Sequence, residues 1–286
     1  MRRRTRKLWS SLTVVSVLVP PSFATSETYS WTGAYQDQGH HATIAKDRIL
    51  LAQGGEGGEG GEGGEGGEGG EYGVDTNRAS VDAVVYLTAL DIIAAHYYAG
   101  LAAYSEGKPK EGAEMFAHAM SEVYVDLIPA LQSLGVAEFE DKMQKTIQLS
   151  LSGAPQKDIE IASKDVFEAL QEAEKKAPPG AVDLEKLVFT DLLDRSALQY
   201  AKAYKNKEGD SYLDGYGFLV SAQKRSPKIL LQFENDGNIQ AKQAALKALD
   251  LLSKAYSSIS MPSQNLADPS TLLAATSQLR LALSKE

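Results

Sequence analysis

Two histidines, His96 and His118, flank the punctuation Ser105-Glu106-Gly107-Lys108-Pro109. The periodicity on either side is helical, so the punctuation is the turn of an antiparallel hairpin. Each histidine lies about eleven residues from the turn centre, and at about 1.5 Å rise per residue the two come to similar heights. Met115 and Glu122 lie on the same helical face as His118, about one turn before and after it. Imidazole with thioether suits copper, whereas imidazole with carboxylate suits iron or zinc. His96, His118, Met115 and Glu122 are therefore the candidate ligands of a transition-metal ion, iron or copper. The same residues also read as a hydrogen-bonded core histidine and a solvated surface one.

The helices that carry these residues have a recognisable packing grammar. His96 shares its stripe with Ala89, Ile92, Ala99 and Ala103, so it points where a core belongs. Gly100 and Ala103 on one helix, with Gly112, Phe116 and Ala119 on the other, have the small-large pattern of a tetratricopeptide hairpin. No second copy follows at that period, so a solenoid is not expected. The first helix is apolar on nearly every face, which suits either the centre of a bundle or a membrane span. Asp91 and His96 would be costly in lipid, and Lys/Arg clusters are missing from its flanks, so a core helix is expected. A carboxylate on so apolar a helix needs a partner or a proton, and Tyr97, Tyr98 or Thr88 could supply a hydrogen bond.

Glycine and proline punctuate the rest of the chain into further helical segments. The spacing predicts helices over 79–104, 109–134, 138–151, 158–176, 183–205, 212–224, 239–256 with Pro227 ahead of it, and 269–284. No convincing β-branched alternation interrupts them. The fold class is all-α, a helical bundle built from antiparallel hairpins over 72–286.

Three segments precede it. Residues 1–24 have a basic start (Arg2, Arg3, Arg4, Arg6, Lys7), a short apolar run and small residues at Ser22 and Ala24, the pattern of a signal peptide cleaved before Thr25. Residues 25–53 form a short arm with Trp31 and the pair His40-His41. Residues 54–71 read GGE six times, a low-complexity composition that cannot bury apolar surface and is expected to be a flexible linker. The address is periplasmic or secreted, with no span left once the signal is removed. Removing its five positive charges takes the formal net charge from −9 to −14, which disfavours nucleic acid and anionic lipid. With no cysteine, disulfide scaffolding and thiol catalysis are excluded.

The chain also lacks a Gly-x-Ser-x-Gly elbow, a His-Glu-x-x-His motif and a phosphate-binding glycine loop, so no catalytic residue is assigned and no enzyme is expected. The segment 191–222 contains Leu192-Leu193-Asp194, Tyr200 and Tyr212-x-Asp214-x-x-Gly217-Phe218. It resembles a helical stretch found outside the membrane in oxidase-dependent iron permeases and in uncharacterised periplasmic helical proteins. The permeases' Arg-Glu-Gly-Leu-Glu motif and membrane helices are absent, so the resemblance does not imply transport. It implies an extracytoplasmic relative or partner linked to metal handling. Read as structure alone, the same tyrosines and glycines bury aromatic area and allow close helix contact. The expectation is a non-enzymatic extracytoplasmic protein that binds a metal ion or a periplasmic or membrane protein partner. The alternative is a structural or interaction module without a ligand.

Overall fold

A computed structural model describes residues 74–180 and 183–284, and among these residues there is no β-strand. The signal peptide, the arm and the GGE tract expected over 1–71 lie outside the described residues. The chain enters through a 3₁₀ turn, Thr76–Arg78, and α1 runs Ala83–Ser105. It starts later than the apolar pattern predicts because Asp82 is extended and caps the helix, its carboxylate accepting from the backbone N–H of Val84 (3.1 Å) and Val85 (3.3 Å). α1 is long and apolar enough to cross a membrane, but 78% of that stretch is buried inside the protein, as a central core helix requires.

α2 (Pro109–His118), a π-helical turn (Ala119–Tyr124) and α3 (Val125–Ser133) follow without a break. The sequence pattern predicts a single regular helix there, so the π turn is a departure within it. The hairpin packs as its small and large residues require. A Cβ on Gly100 would lie 2.6 Å from Phe116 Cε1, and one on Gly112 would lie 2.8 Å from the Gly100 carbonyl oxygen. Only glycine at both positions lets the backbones come this close, and Phe116 fills the space beside them.

α4 (Glu140–Leu151) and α5 (Gln156–Glu174) form a second hairpin against the first. α6 (Leu184–Asn206) and α7 (Gly209–Asn235) form a third, turning at Lys207 in a left-handed conformation (φ 62°). α8 (Ile239–Ala255) and α9 (Pro269–Leu283) cover α6. α7 corrects the expected break after 224, because it continues through Pro227. Proline there has no N–H for the Gln223 carbonyl, and the Ser226 hydroxyl donates to that oxygen instead at 2.9 Å.

Half of the residues in the segment 191–222 are buried. Tyr212 and Tyr256 pack at 4.8 Å between ring centroids, and Tyr200 and Tyr256 at 5.4 Å. The Tyr212 hydroxyl donates to the Ala255 carbonyl (3.0 Å) and so stays inside. Ser196 donates to the Gly215 carbonyl (2.9 Å), fixing α6 against α7.

The partner of Asp91 is none of its neighbours on α1. Arg225 of α7 grips its carboxylate through two donors, at 2.6 and 3.1 Å, and also donates to Glu174 of α5 at 3.1 Å. Burial pushes the Asp91 carboxyl up to about 6, and Arg225 offsets part of that rise.

Candidate metal centre

The hairpin brings both histidines to one place. His96, five residues past Asp91 on α1, is buried, and its Nδ1 lies 2.8 Å from the Ile92 carbonyl oxygen. A carbonyl only accepts, so Nδ1 carries a proton and donates to it, and Nε2 faces away from that carbonyl. His118 ends α2, with its ring edge-on to His96 at 6.3 Å between centroids. Phe218 of α7 packs against another side of the His96 ring at 6.5 Å and holds it in place.

Two carboxylates face His96 Nε2. Glu122 Oε2 lies 3.8 Å away and Asp214 Oδ1 lies 3.6 Å away, while Glu122 Oε1 lies 3.7 Å from His118 Nδ1. One donor atom from each of His96, His118 and Glu122 fits within 4.8 Å of the others. All three separations are ion-pair distances. Two atoms bound at about 2.0–2.1 Å to one tetrahedral ion would lie about 3.3 Å apart, so small side-chain movements would bring these donors onto a shared ion. Exposure is graded across the group: His96 1%, Asp214 9%, Glu122 18% and His118 33%. The inner end is dry, and the His118 edge faces solvent.

Glu122 belongs to the π turn, whose wider coil changes the direction of the residues after His118. Of the four expected ligands, His96, His118 and Glu122 therefore converge. Met115 is buried with Ala99, Ala103, Leu213 and Ile259 in a small apolar cluster. Asp214, which the sequence pattern does not single out as a ligand, stands beside His96. Its one sequence signal is a carboxylate set among Tyr212, Leu213, Gly215, Gly217 and Phe218, all buried on α7.

A separate cavity of about 430 Å³ opens at the N-terminal ends of α2 and α7, and none of these four groups lines it. Its lysines, Lys108 and Lys207, face as many carboxylates, Glu111 and Asp210, so it has no charge preference for an anion. No family model matches the chain, and no curated protein or solved structure does either.

Proposed function

We propose that this is a non-enzymatic periplasmic or secreted protein whose α1–α2 hairpin binds a transition-metal ion, in the service of iron or copper handling. The observation that carries the proposal is the trio His96, His118 and Glu122, with donor atoms within 4.8 Å of one another on a bundle core. One histidine, His96, has its Nδ1 held by a backbone carbonyl, the kind of outer partner that orients a metal-binding imidazole. The export pattern of residues 1–24 and the resemblance of 191–222 support the extracytoplasmic, metal-handling part.

The test is metal titration of protein isolated without a histidine tag, comparing wild type with His96→Ala and His118→Ala for copper, zinc and iron. Both substitutions should weaken binding by at least about tenfold. Equal affinity in all three proteins, or binding no tighter than about millimolar, would overturn the proposal.

A second reading has the specific support of the 3.6 and 3.8 Å approaches to His96 Nε2. A protonated His96 between two carboxylates would hold α1, the π turn and α7 together without any ion. It requires His96→Ala to lower stability while metal response stays unchanged.

A further inference from the structure

We infer that the cavity at the N-terminal ends of α2 and α7 is a second binding site, for a short peptide with both ends free and apolar side chains. It stands apart from the candidate metal centre, because His96, His118 and Glu122 do not line it.

Charge supplies the first argument. Two ammonium groups, Lys108 and Lys207, and two carboxylates, Glu111 and Asp210, line the cavity without neutralising one another. Lys108 donates to the Ser260 hydroxyl, and Lys207 lies over the Tyr204 ring at 4.5 Å from its centroid. Among the described residues, Glu111 and Asp210 have no ion pair. A ligand of one sign would meet as many like charges as opposite ones. A zwitterion instead offers an opposite charge to each kind.

The apolar part of the lining supplies the second. Leu213 and Ile259 are buried, and Met261, Pro262 and Leu266 are half-buried. A ligand that reaches the charges therefore also meets aliphatic surface, which favours apolar side chains between the two charged ends. At about 430 Å³ the cavity has the size of a small-molecule site.

The third argument is that the cavity is preformed. One wall, residues 259–266, belongs to the connection between α8 and α9, and three ties hold it open. Ile259 packs with Ala99 of α1, Met115 of α2 and Leu213 of α7. Ser260 is held by Lys108, which lies 152 residues away in sequence. The Ala267 N–H donates to the Tyr200 hydroxyl of α6 at 2.9 Å. Binding then does not have to order this wall first, a cost that weakens sites built on loose loops.

The test is isothermal titration calorimetry of the full wild-type chain with leucyl-leucine, its N-acetylated form, its C-terminal amide and free leucine. The uncapped dipeptide should bind more tightly than about millimolar, and each capped form at least about tenfold more weakly than the dipeptide, because one charge-assisted contact is lost. Glu111→Gln combined with Asp210→Asn should erase the preference over the acetylated form and keep the preference over the amide. Lys207→Gln should narrow the preference over the amide alone. Each preference is a ratio within one protein, so a general loss of stability does not mimic it. In the methyl spectrum of the wild type, Ile259 and Met261 should shift as the dipeptide is added. Equal affinity for the dipeptide and both capped forms, free leucine binding as tightly as the dipeptide, no binding tighter than about millimolar, or unmoved Ile259 and Met261 signals would each overturn the inference.

Discussion

Gly217→Ala is the most direct test of how closely α7 is seated on α1. In an open helix, glycine to alanine gains up to about 1 kcal/mol, because alanine loses less backbone entropy on folding. Here the added Cβ would lie 2.4 Å from Ala95 O, 2.9 Å from Ala95 C and 3.2 Å from Ala99 Cβ. The first two atoms are backbone and cannot turn aside, so the helices must separate by about 1 Å to reach ordinary contact. A gap of that size forfeits up to about half of each dispersion contact along the interface, on top of about 1–3 kcal/mol for overpacking. With the propensity gain subtracted, the expected net loss is about 2 kcal/mol. Urea unfolding followed by circular dichroism measures it as a lower midpoint at unchanged slope. Gly209→Ala, at the start of the same helix with nothing within 4 Å of its added Cβ, is the control and should be neutral or gain about 0.5 kcal/mol. A Gly217→Ala protein as stable as the wild type would refute the close approach of α7 to α1.

Phe116→Ala removes a fully buried ring between Gly100 and Tyr97 and should cost about 3–5 kcal/mol in the same unfolding assay. Arg225→Ala leaves the Asp91 carboxylate buried without its guanidinium and should cost about 3–5 kcal/mol at pH 8. The folded Asp91 carboxyl is already raised to about 6 and rises further in this variant. Its stability contribution is thus present below the unfolded value of about 4 and lost as pH rises through the folded one. The deficit of the variant should therefore shrink when unfolding is repeated at pH 5, and a deficit that grows towards acid would contradict the assignment. N-terminal sequencing of protein from its native compartment should begin at or near Thr25, whereas a chain that starts at Met1 would remove the extracytoplasmic address.

What the sequence makes legible follows from sequence distance. His96 and His118 lie on neighbouring helices joined by a five-residue punctuation, so counting residues from the turn predicts that they meet. Gly100, Gly112 and Phe116 are read the same way, because small residues opposite a large one imply close approach. Asp214 and Arg225 come from a different hairpin, and the Arg225–Asp91 pair spans 134 residues. No spacing rule connects such positions; only the docking of α7 on α1 does. Met115 packs in the apolar cluster with Ala99 of α1 and Leu213 of α7, and spacing along one helix does not predict contacts with a distant hairpin. The helix through Pro227 is missed because proline reads as a stop, while the compensating Ser226 hydroxyl is a detail of local geometry.

The π turn at Ala119–Tyr124 separates the fate of the candidate centre from the fate of the bundle. A π turn is an α-helix with one residue too many, and deleting a residue there would let the helix close up into regular phase. The wide turn already absorbs the extra residue, so Val125–Ser133 beyond it would keep its phase relative to α2. Leu127 and Leu131 would stay seated in the core, and the segment carrying Glu122 would be the part that turns. On the proposed reading, removing one residue from this turn would disable the candidate centre and leave the bundle standing.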